Sequence, residues 1–224
     1  MSKRLFDLVV AGALMVLTAP LSVVSAVAVK ATSPGPVLYR ARRAGLGGRP
    51  FDMYKFRTMR TGLDATDRMV TEENDPRITT VGAILRRAKI DELPQLINVI
   101  KGEMSIVGPR PEDMGIVEAH YQPRHWRTLE VRPGIASYAE VRWYPDLTHH
   151  DPPPEGIAMQ EWYVKRHMPI ELEDSLRYIE ERSLLGDVRI LGRLAVLIAR
   201  YAVATPPVLA VPDDPETYLA NGET

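Results

Sequence analysis

Hydrophobic positions along this chain fall into one long block followed by a series of short ones. No charged residue interrupts Leu8 to Val29, and basic residues stand on both sides, Lys3 and Arg4 before it and Lys30, Arg40, Arg42 and Arg43 after it. A run of this length is about what a helix needs to cross a bilayer. Pro20 lies at its centre and removes one backbone hydrogen bond, which predicts a kink. Beyond Thr32-Ser33-Pro34-Gly35-Pro36 the pattern shortens. Val37–Arg40 and Phe51–Met59 read as two strands about the turn Gly45-Leu46-Gly47-Gly48, a hairpin. Residues 61–76 are polar and acidic without a period, a mobile loop.

Helical patterns resume at Thr80–Lys89 and at Leu93–Ile100, the second ended by Lys101-Gly102. Met104–Val107 is a short apolar stretch, Pro111–His120 a further helix, and Arg132-Pro133-Gly134 a turn. Thr148–Pro154, with its three prolines, reads as a loop excluded from regular structure. Ala158–Arg182 reads as a helix broken at Pro169. Leu184–Tyr201 is apolar on one side with Arg189, Arg193 and Arg200 opposite, an amphipathic helix suited to a membrane surface or to the domain core. A Pro-rich, acidic tail follows and is expected to be poorly ordered. The pattern predicts an α+β, mainly helical chain with an apolar segment at 1–30, a domain at 31–203 and a tail at 204–224.

Composition narrows the class. The 224 residues carry a net charge of −1 and no cysteine, which excludes a disulfide framework and gives no reason to expect a nucleic-acid partner. The charge is uneven, however. Segment 30–60 is basic, with Lys30, Arg40, Arg42, Arg43, Arg49, Lys55, Arg57 and Arg60 opposed by Asp52 alone, so a basic belt follows the apolar run directly. The residues leave three readings of that run open, in the order membrane anchor, cleaved signal peptide and re-entrant hairpin. Basic flanks on both sides favour having both ends on the cytoplasmic face, which a hairpin satisfies and a straight span does not.

The candidate chemistry lies in Lys89-Ile90-Asp91-Glu92-Leu93-Pro94-Gln95-Leu96, followed by Val107-Gly108-Pro109-Arg110-Pro111. Pro94 suits a first helical turn, so Asp91 and Glu92 fall at a helix start, where free N–H groups and the dipole favour an anion. Two carboxylates repel a phosphate unless a divalent metal or arginines intervene, and Arg110 is near in sequence. The plainer alternative is an N-cap acid on an ordinary loop. Elsewhere, His149-His150-Asp151 has no partner at ligand spacing. The chain has no G-x-S-x-G elbow and no P-loop, and Gly45–Gly48 is too short for a dinucleotide fingerprint.

Taken in order, the motifs resemble one family. They are Lys3-Arg4-Leu5-Phe6-Asp7 with the proline-broken apolar run, Pro34-Gly35-Pro36-Val37, Arg43-Ala44-Gly45 and Tyr54-Lys55-Phe56-Arg57-Thr58-Met59. Asn74-Asp75-Pro76-Arg77-Ile78-Thr79, Gly82 and Arg86 follow, then Asp91-Glu92-Leu93-Pro94-Gln95-Leu96 with Asn98. Gly108-Pro109-Arg110-Pro111, Arg132-Pro133-Gly134-Ile135 and the stretch from Tyr178 to Leu191 complete the series. Over most of residues 3–195 the chain resembles the bacterial sugar transferases of the small monotopic phosphoglycosyl transferase group.

The resemblance implies transfer of a sugar 1-phosphate from a UDP-sugar to a polyprenyl phosphate, with release of UMP, at the start of surface-glycan assembly. It implies Mg2+, a re-entrant membrane hairpin bent at Pro20, membrane lipid as a partner, and an active site facing the cytoplasm at the inner membrane. Asp91 would be the nucleophile. Glu92 would be a metal ligand or an orienting base, the two acids together holding the metal. Arg110 would bind phosphate, with Lys55, Arg57, Arg86 and Gln95 as further substrate-binding candidates; each of Lys55, Arg57 and Arg86 has a structural or lipid-facing role as its alternative. A homodimer stays open.

Two departures from the family pattern stand out. Ala19 replaces the serine usual before the proline, leaving Thr18 or Ser22 to repair the broken bond. Ala136-Ser137-Tyr138-Ala139-Glu140-Val141 replaces the usual Thr-Gly-Leu-x-Gln-Val, placing an acid, Glu140, in a segment expected to shape the nucleotide-sugar pocket. A catalytically silent membrane adaptor that keeps the fold is the competing reading, opposed by the intact Asp91, Glu92 and Arg110.

Overall fold

A computed structural model describes residues 2–61, 75–145, 147–201 and 204–211. The expected loop at 61–76 and the tail beyond 211 therefore lie almost wholly outside the described residues. The long apolar block is a single helix, α1 (Lys3–Thr32), opened by Ser2, whose Oγ accepts from the Leu5 N–H at 3.3 Å. At 1.5 Å per residue it is about 45 Å long. Its most apolar window has a mean hydropathy of 2.2 and is only 11% buried. Pro20 stands inside it. The Thr18 hydroxyl donates to Leu14 O at 2.7 Å, so it does not reach the Val16 carbonyl that the proline leaves without its usual donor.

Both ends of α1 are tied to the same body of protein. At the start, Arg4 donates to the last carbonyls of a following helix, Val99 O (2.7 Å) and Ile100 O (2.9 Å). Lys3 pairs with Asp7 (3.1 Å) and with Asp187 (2.8 Å), far along the chain. Asp7 is buried and accepts from Ser105 Oγ and the Ile106 N–H. At the far end, the buried Arg57 guanidinium donates to Pro36 O, Ser33 O and Ser33 Oγ, and reaches Val29 O. Between these ties the apolar side chains have little protein cover: Val16 is 79% and Leu17 77% exposed.

The hairpin forms as the alternation predicts. Strands β1 (Leu38–Ala44) and β2 (Pro50–Phe56) pair antiparallel, Leu38 opposite Phe56 and Ala44 opposite Pro50. The first strand runs further, and the second stops sooner, than the sequence suggests. Helix α2 (Thr80–Arg87) is capped by Thr79, whose Oγ1 accepts from the Gly82 N–H at 2.9 Å. Helix α3 (Gln95–Lys101) ends at Gly102, whose φ of +86° suits a residue without a Cβ.

The apolar stretch at 104–107 becomes β3 (Ser105–Val107), and after α4 (Met114–His120) the chain returns as β4 (Gly134–Ala136), parallel to β3. A turn was expected at Arg132-Pro133-Gly134, but not the strand beyond it. Three residues are too few to show an alternation. The core under α1 joins Ala11, Met53, Leu96, Val99, Ile106 and Ile190.

The C-terminal half departs from expectation in two places. Thr148–Pro154 was excluded from regular structure, yet Leu147–His150 forms a helical turn, α6, after the short α5 (Tyr138–Arg142). The prolines at 152–154 stop this turn rather than prevent it, because a helix needs no N–H beyond its last residue. The helix expected to break at Pro169 instead runs through it. After α7 (Met159–Trp162) a π-helical turn, Tyr163–His167, leads into α8 (Met168–Glu181). Pro169 has no N–H to offer upstream, and the widened turn before it, with the Met168 N–H bonded to Tyr163 O, absorbs the mismatch.

Helix α9 (Leu184–Tyr201) follows as predicted, and its Asp187 accepts from the Tyr178 hydroxyl at 3.0 Å. The described part of the tail, 204–211, is held on the domain. Its Leu209 N–H donates to His150 Nδ1 (3.1 Å), and Arg166 donates to Val211 O (3.3 Å).

Where β3 and β4 meet, two glycines allow the backbones to touch: a Cβ on Gly134 would lie 2.1 Å from the Gly108 nitrogen. This contact anchors the Gly108-Pro109-Arg110-Pro111 loop. Gly134→Ala is expected to destabilise the protein by roughly 1–3 kcal/mol, the usual cost of overpacking. Unfolding of the detergent-solubilised variant tests this, and wild-type stability would contradict the close crossing.

Candidate active site

Asp91 and Glu92 sit on a single 3-10 turn, Ile90–Glu92, wedged between α2 and α3. Lys89 just before it adopts a left-handed conformation (φ 55°, ψ 19°), which costs a residue with a Cβ roughly 1–2 kcal/mol. That backbone reversal turns the two acids inward. Several N–H groups at the helix start, anticipated as free for an anion, are already engaged within the turn. The Leu93, Leu96 and Ile97 N–H groups donate to Ile90 O (3.2 Å), Leu93 O (3.1 Å) and Pro94 O (3.0 Å). Positive charge comes from side chains instead.

Lys55 on β2 places Nζ 2.7 Å from Glu92 Oε1. Lys89 Nζ lies 3.4 Å from Glu140 Oε1 on α5. Arg86 of α2, held by Nε to Thr58 Oγ1 (2.9 Å), also acts electrostatically on Asp91. Arg110, past β3, is close enough to act on both Glu92 and Glu140. Its Nε faces Glu171 Oε2 of α8 at 3.4 Å, while 41% of its side chain is exposed.

Three carboxyls in one electrostatic cluster are driven to different states. Burial, then the neighbouring Glu92, raises Asp91 above the ordinary carboxyl value, although Lys55, Lys89 and Arg86 draw it down. Burial also pushes Glu92 up, but Lys55, Lys89 and Arg110 outweigh it and bring the group down to about 2. Glu140 is raised, by burial first and by Glu92 next among the carboxylates, against Lys89 and Arg110. Its Oε2 is buried without a hydrogen-bond partner among the described residues.

Two adjacent acids held apart in this way resemble the division of roles in acid–base and nucleophilic sites. Ser137, the unexpected neighbour of Glu140, is the N-cap of α5, accepting from the Glu140 N–H at 3.1 Å. The departure from the family pattern therefore carries its own local structural support.

Most of the residues singled out in the sequence thus converge: Asp91, Glu92, Lys55, Arg86, Arg110 and Glu140 share one electrostatic cluster, and Gln95 is buried at the start of α3 beside it. Arg57 does not join them. Its Nη groups donate to Pro36 O and to Ser33 at the end of α1, a buried structural role that the sequence left open as an alternative. Pro20 lies in the exposed middle of α1.

Sequence reasoning missed Lys89 as a site residue, and missed Glu112, Tyr163 and Glu171 behind Arg110. Lys89 stands in the motif and was readable. The other three reach the site from distant elements without a local pattern.

The two carboxylates also fit Mg2+. This small hard cation takes oxygen ligands and binds through one or two carboxylates, keeping water and substrate phosphate for the remaining positions. Asp91 has no hydrogen-bond partner for its carboxylate among the described residues, and Lys55 engages only one oxygen of Glu92. No group of three or more His, Asp or Glu forms a metal cage among those residues, so an ion here would need a ligand's own oxygens.

Asp91→Asn is expected to stabilise the fold. Because the folded-state carboxyl is raised, stability falls as pH rises through its ionisation, and the amide removes that fall. The variant should melt above wild type at neutral pH, where Asp91 would otherwise be driven to ionise, and match it in acid, where the carboxyl is already neutral. Thermal melts across pH check this; a Tm below wild type at neutral pH would contradict the buried-charge reading.

Comparison with known proteins places the whole chain rather than its site. The sequence model of the bacterial sugar transferase family matches residues 1–200. A UDP-glucose:undecaprenyl-phosphate glucose-1-phosphate transferase of Caulobacter vibrioides is 46% identical over 142 residues, covering 62% of this chain and 53% of that protein. A protein of the same name from Escherichia coli is 38% identical over 196 residues, covering 84% and 38%. The exopolysaccharide production protein PSS of Rhizobium leguminosarum is 36% identical over 195 residues, covering 84% of this chain and 90% of its own length. The chain thus spans about half or less of the first two relatives and nearly all of the third. It belongs to the bacterial sugar transferase family.

Proposed function

We propose that this member of the bacterial sugar transferase family moves a sugar 1-phosphate from a UDP-sugar to a polyprenyl phosphate, releasing UMP, as an opening step of surface-polysaccharide assembly. The observation that carries the reading is the buried Asp91 carboxylate, without a hydrogen-bond partner among the described residues and beside a Glu92 that stays ionised within a ring of cations. The names of the relatives, which specify undecaprenyl phosphate and a sugar 1-phosphate, support the substrate class.

In the first half-reaction an Asp91 oxygen attacks the β-phosphorus of the donor. The bond from that phosphorus to the bridging oxygen breaks, UMP leaves, and the sugar phosphate remains on Asp91. In the second, an oxygen of the lipid phosphate attacks the same phosphorus, the Asp91–phosphorus bond breaks, and the carboxylate is restored. Arg110 presents its guanidinium edge to phosphate, where planar geometry gives paired contacts. Lys55 keeps Glu92 ionised, and Lys89 holds Glu140 where a nucleotide-sugar would lie. When bound, Mg2+ would neutralise diphosphate charge that the two acids otherwise repel.

The membrane arrangement we infer is re-entrant, with α1 dipping into one leaflet about Pro20 and both ends on the cytoplasmic face of the inner membrane. Its support is mechanical. A domain on one side of a bilayer cannot hold both ends of a straight span, yet Arg4 and Arg57 tie the two ends of α1 to one body. Exposed apolar side chains on other helices, Ile84 (62%), Leu185 (60%) and Val196 (65%), suit contact with the same leaflet. Such a seat would bring the catalytic turn to the lipid phosphate without extracting its tail.

Detergent-solubilised protein with Mg2+, undecaprenyl phosphate and a panel of UDP-sugars is expected to release UMP with at least one donor, and Asp91→Asn to abolish it. Silence across the panel from folded protein would favour the adaptor reading. Because the chain has no cysteine, Ser2→Cys and Ala31→Cys give single labels. Both should react from the cytoplasmic side alone, and labelling of the two from opposite sides would overturn the hairpin.

A further inference from the structure

Behind Arg110 lies a group of acids that no catalytic step uses. Tyr163, on the π-helical turn, has its hydroxyl within hydrogen-bond distance of two carboxyls at once, Glu112 Oε2 and, at 3.0 Å, Glu171 Oε2. Glu112 and Glu171 are each 8% exposed and Tyr163 7%. The same Glu171 oxygen faces Arg110 Nε at 3.4 Å. A phenol has one proton to donate. If both acids were ionised, one carboxylate oxygen would press against the phenol oxygen with no proton between them, in a site too buried to bear it. Two protons must therefore be shared among the three groups.

We propose that Glu112, Tyr163 and Glu171 form a proton-sharing clamp on Arg110, in which Glu112 is the neutral acid, Tyr163 relays the hydrogen bond and Glu171 carries the charge. All three are positioning residues for the guanidinium. The local bonding assigns the proton. Glu112 Oε1 already accepts from the Asp113 N–H at 2.7 Å, which leaves Oε2 as the hydroxyl that donates to the phenol oxygen. The phenol proton then goes to Glu171, which stays ionised beside Arg110.

Every charged or titratable group facing Glu112 fits this order. Burial, first, and Glu171 raise its pKa, while the Tyr163 and Asp113 hydrogen bonds and Arg43 on β1 lower it without reversing the shift. Arg43 stands 3.8 Å from Oε1 and is shared with Asp113 at 3.7 Å. Tyr121, just past α4, is itself raised by burial and by Glu112, so it stays neutral. Arg110 reaches the group through Glu171. With Nε directed to Glu171, the Nη edge of Arg110 is left to a ligand. π-helical turns inside helices are frequent at functional positions, and this one places the Tyr163 hydroxyl between the acids of two separate segments.

The proposal rests on the reading that Arg110 meets the donor's phosphates, so the test has one readout without substrate and one with it. Infrared spectra of substrate-free protein at neutral pH should contain the C=O band of a protonated carboxylic acid, lost in Glu112→Gln. In UMP-release assays, Tyr163→Phe should raise KM for the UDP-sugar about tenfold, as for loss of a hydrogen bond to a charged group, and leave kcat within about twofold. Glu112→Gln imitates the neutral acid. It should keep the wild-type KM and remove the fall in kcat/KM that wild type shows as Glu112 ionises with rising pH.

The clamp is overturned if no protonated-acid band belongs to Glu112, if folded Tyr163→Phe keeps the wild-type KM, or if Glu112→Gln is as damaging as Tyr163→Phe. A band that disappears in Glu112→Gln, in a protein that releases UMP from no donor, would uphold the proton sharing while rejecting the transferase reading.

Discussion

Two adjacent carboxylates, Asp91 and Glu92, are kept largely out of water together, and the surrounding structure is arranged to tolerate it. Burial alone would neutralise both. Lys55 from the hairpin and Lys89 and Arg86 from the chain just upstream act on both acids or on Asp91, and Arg110 from the loop after β3 acts on Glu92. Their unequal effect leaves one acid firmly ionised and the other raised. Each cation comes from a different local structure, so the cluster exists only when the hairpin, α2, the Ile90–Glu92 turn and the β3–β4 crossing are assembled. Displacing any one of them would cost the site its charge balance before it cost the protein its core.

A second constraint is that α1 does not stand apart from the domain. Arg4, Lys3 and Asp7 tie its first turns to α3, β3 and α9, and Arg57 ties its end to the hairpin. The Ile90–Glu92 turn precedes α3, whose last carbonyls accept from Arg4. The long apolar helix and the two carboxylates are thus a few hydrogen bonds apart. An enzyme acting, as proposed, on an acceptor whose phosphate lies at the bilayer surface would need this coupling, since effective catalysis depends on holding reacting groups in fixed relation.

Much of this was legible in the chain, for reasons that differ by element. The long apolar run, the hairpin and α9 carry strong periodic patterns. Asp91, Glu92 and Arg110 announce themselves by chemistry near a proline. Other features had no local signal. Arg57 looks like a member of the basic belt, and only its buried contacts with Ser33 and Pro36 show that it secures a helix end. The π turn at Tyr163–His167 absorbs a proline that, by sequence, should break the helix. β4 is too short to reveal its pairing. Tyr163 and Glu171 meet Glu112 across 51 and 59 residues of sequence, a separation at which periodicity says nothing.

The central claim is that Asp91 itself takes up the sugar phosphate, and the most direct measurement is intact-protein mass spectrometry. The protein would be mixed with Mg2+ and a UDP-sugar that supports turnover, with polyprenyl phosphate left out. A gain of one sugar phosphate on the peptide containing Asp91, absent from Asp91→Asn and discharged when polyprenyl phosphate is added, is the predicted result. Turnover that leaves the protein mass unchanged, with no UMP formed until the lipid acceptor is present, would contradict it and assign transfer to a direct attack by the acceptor.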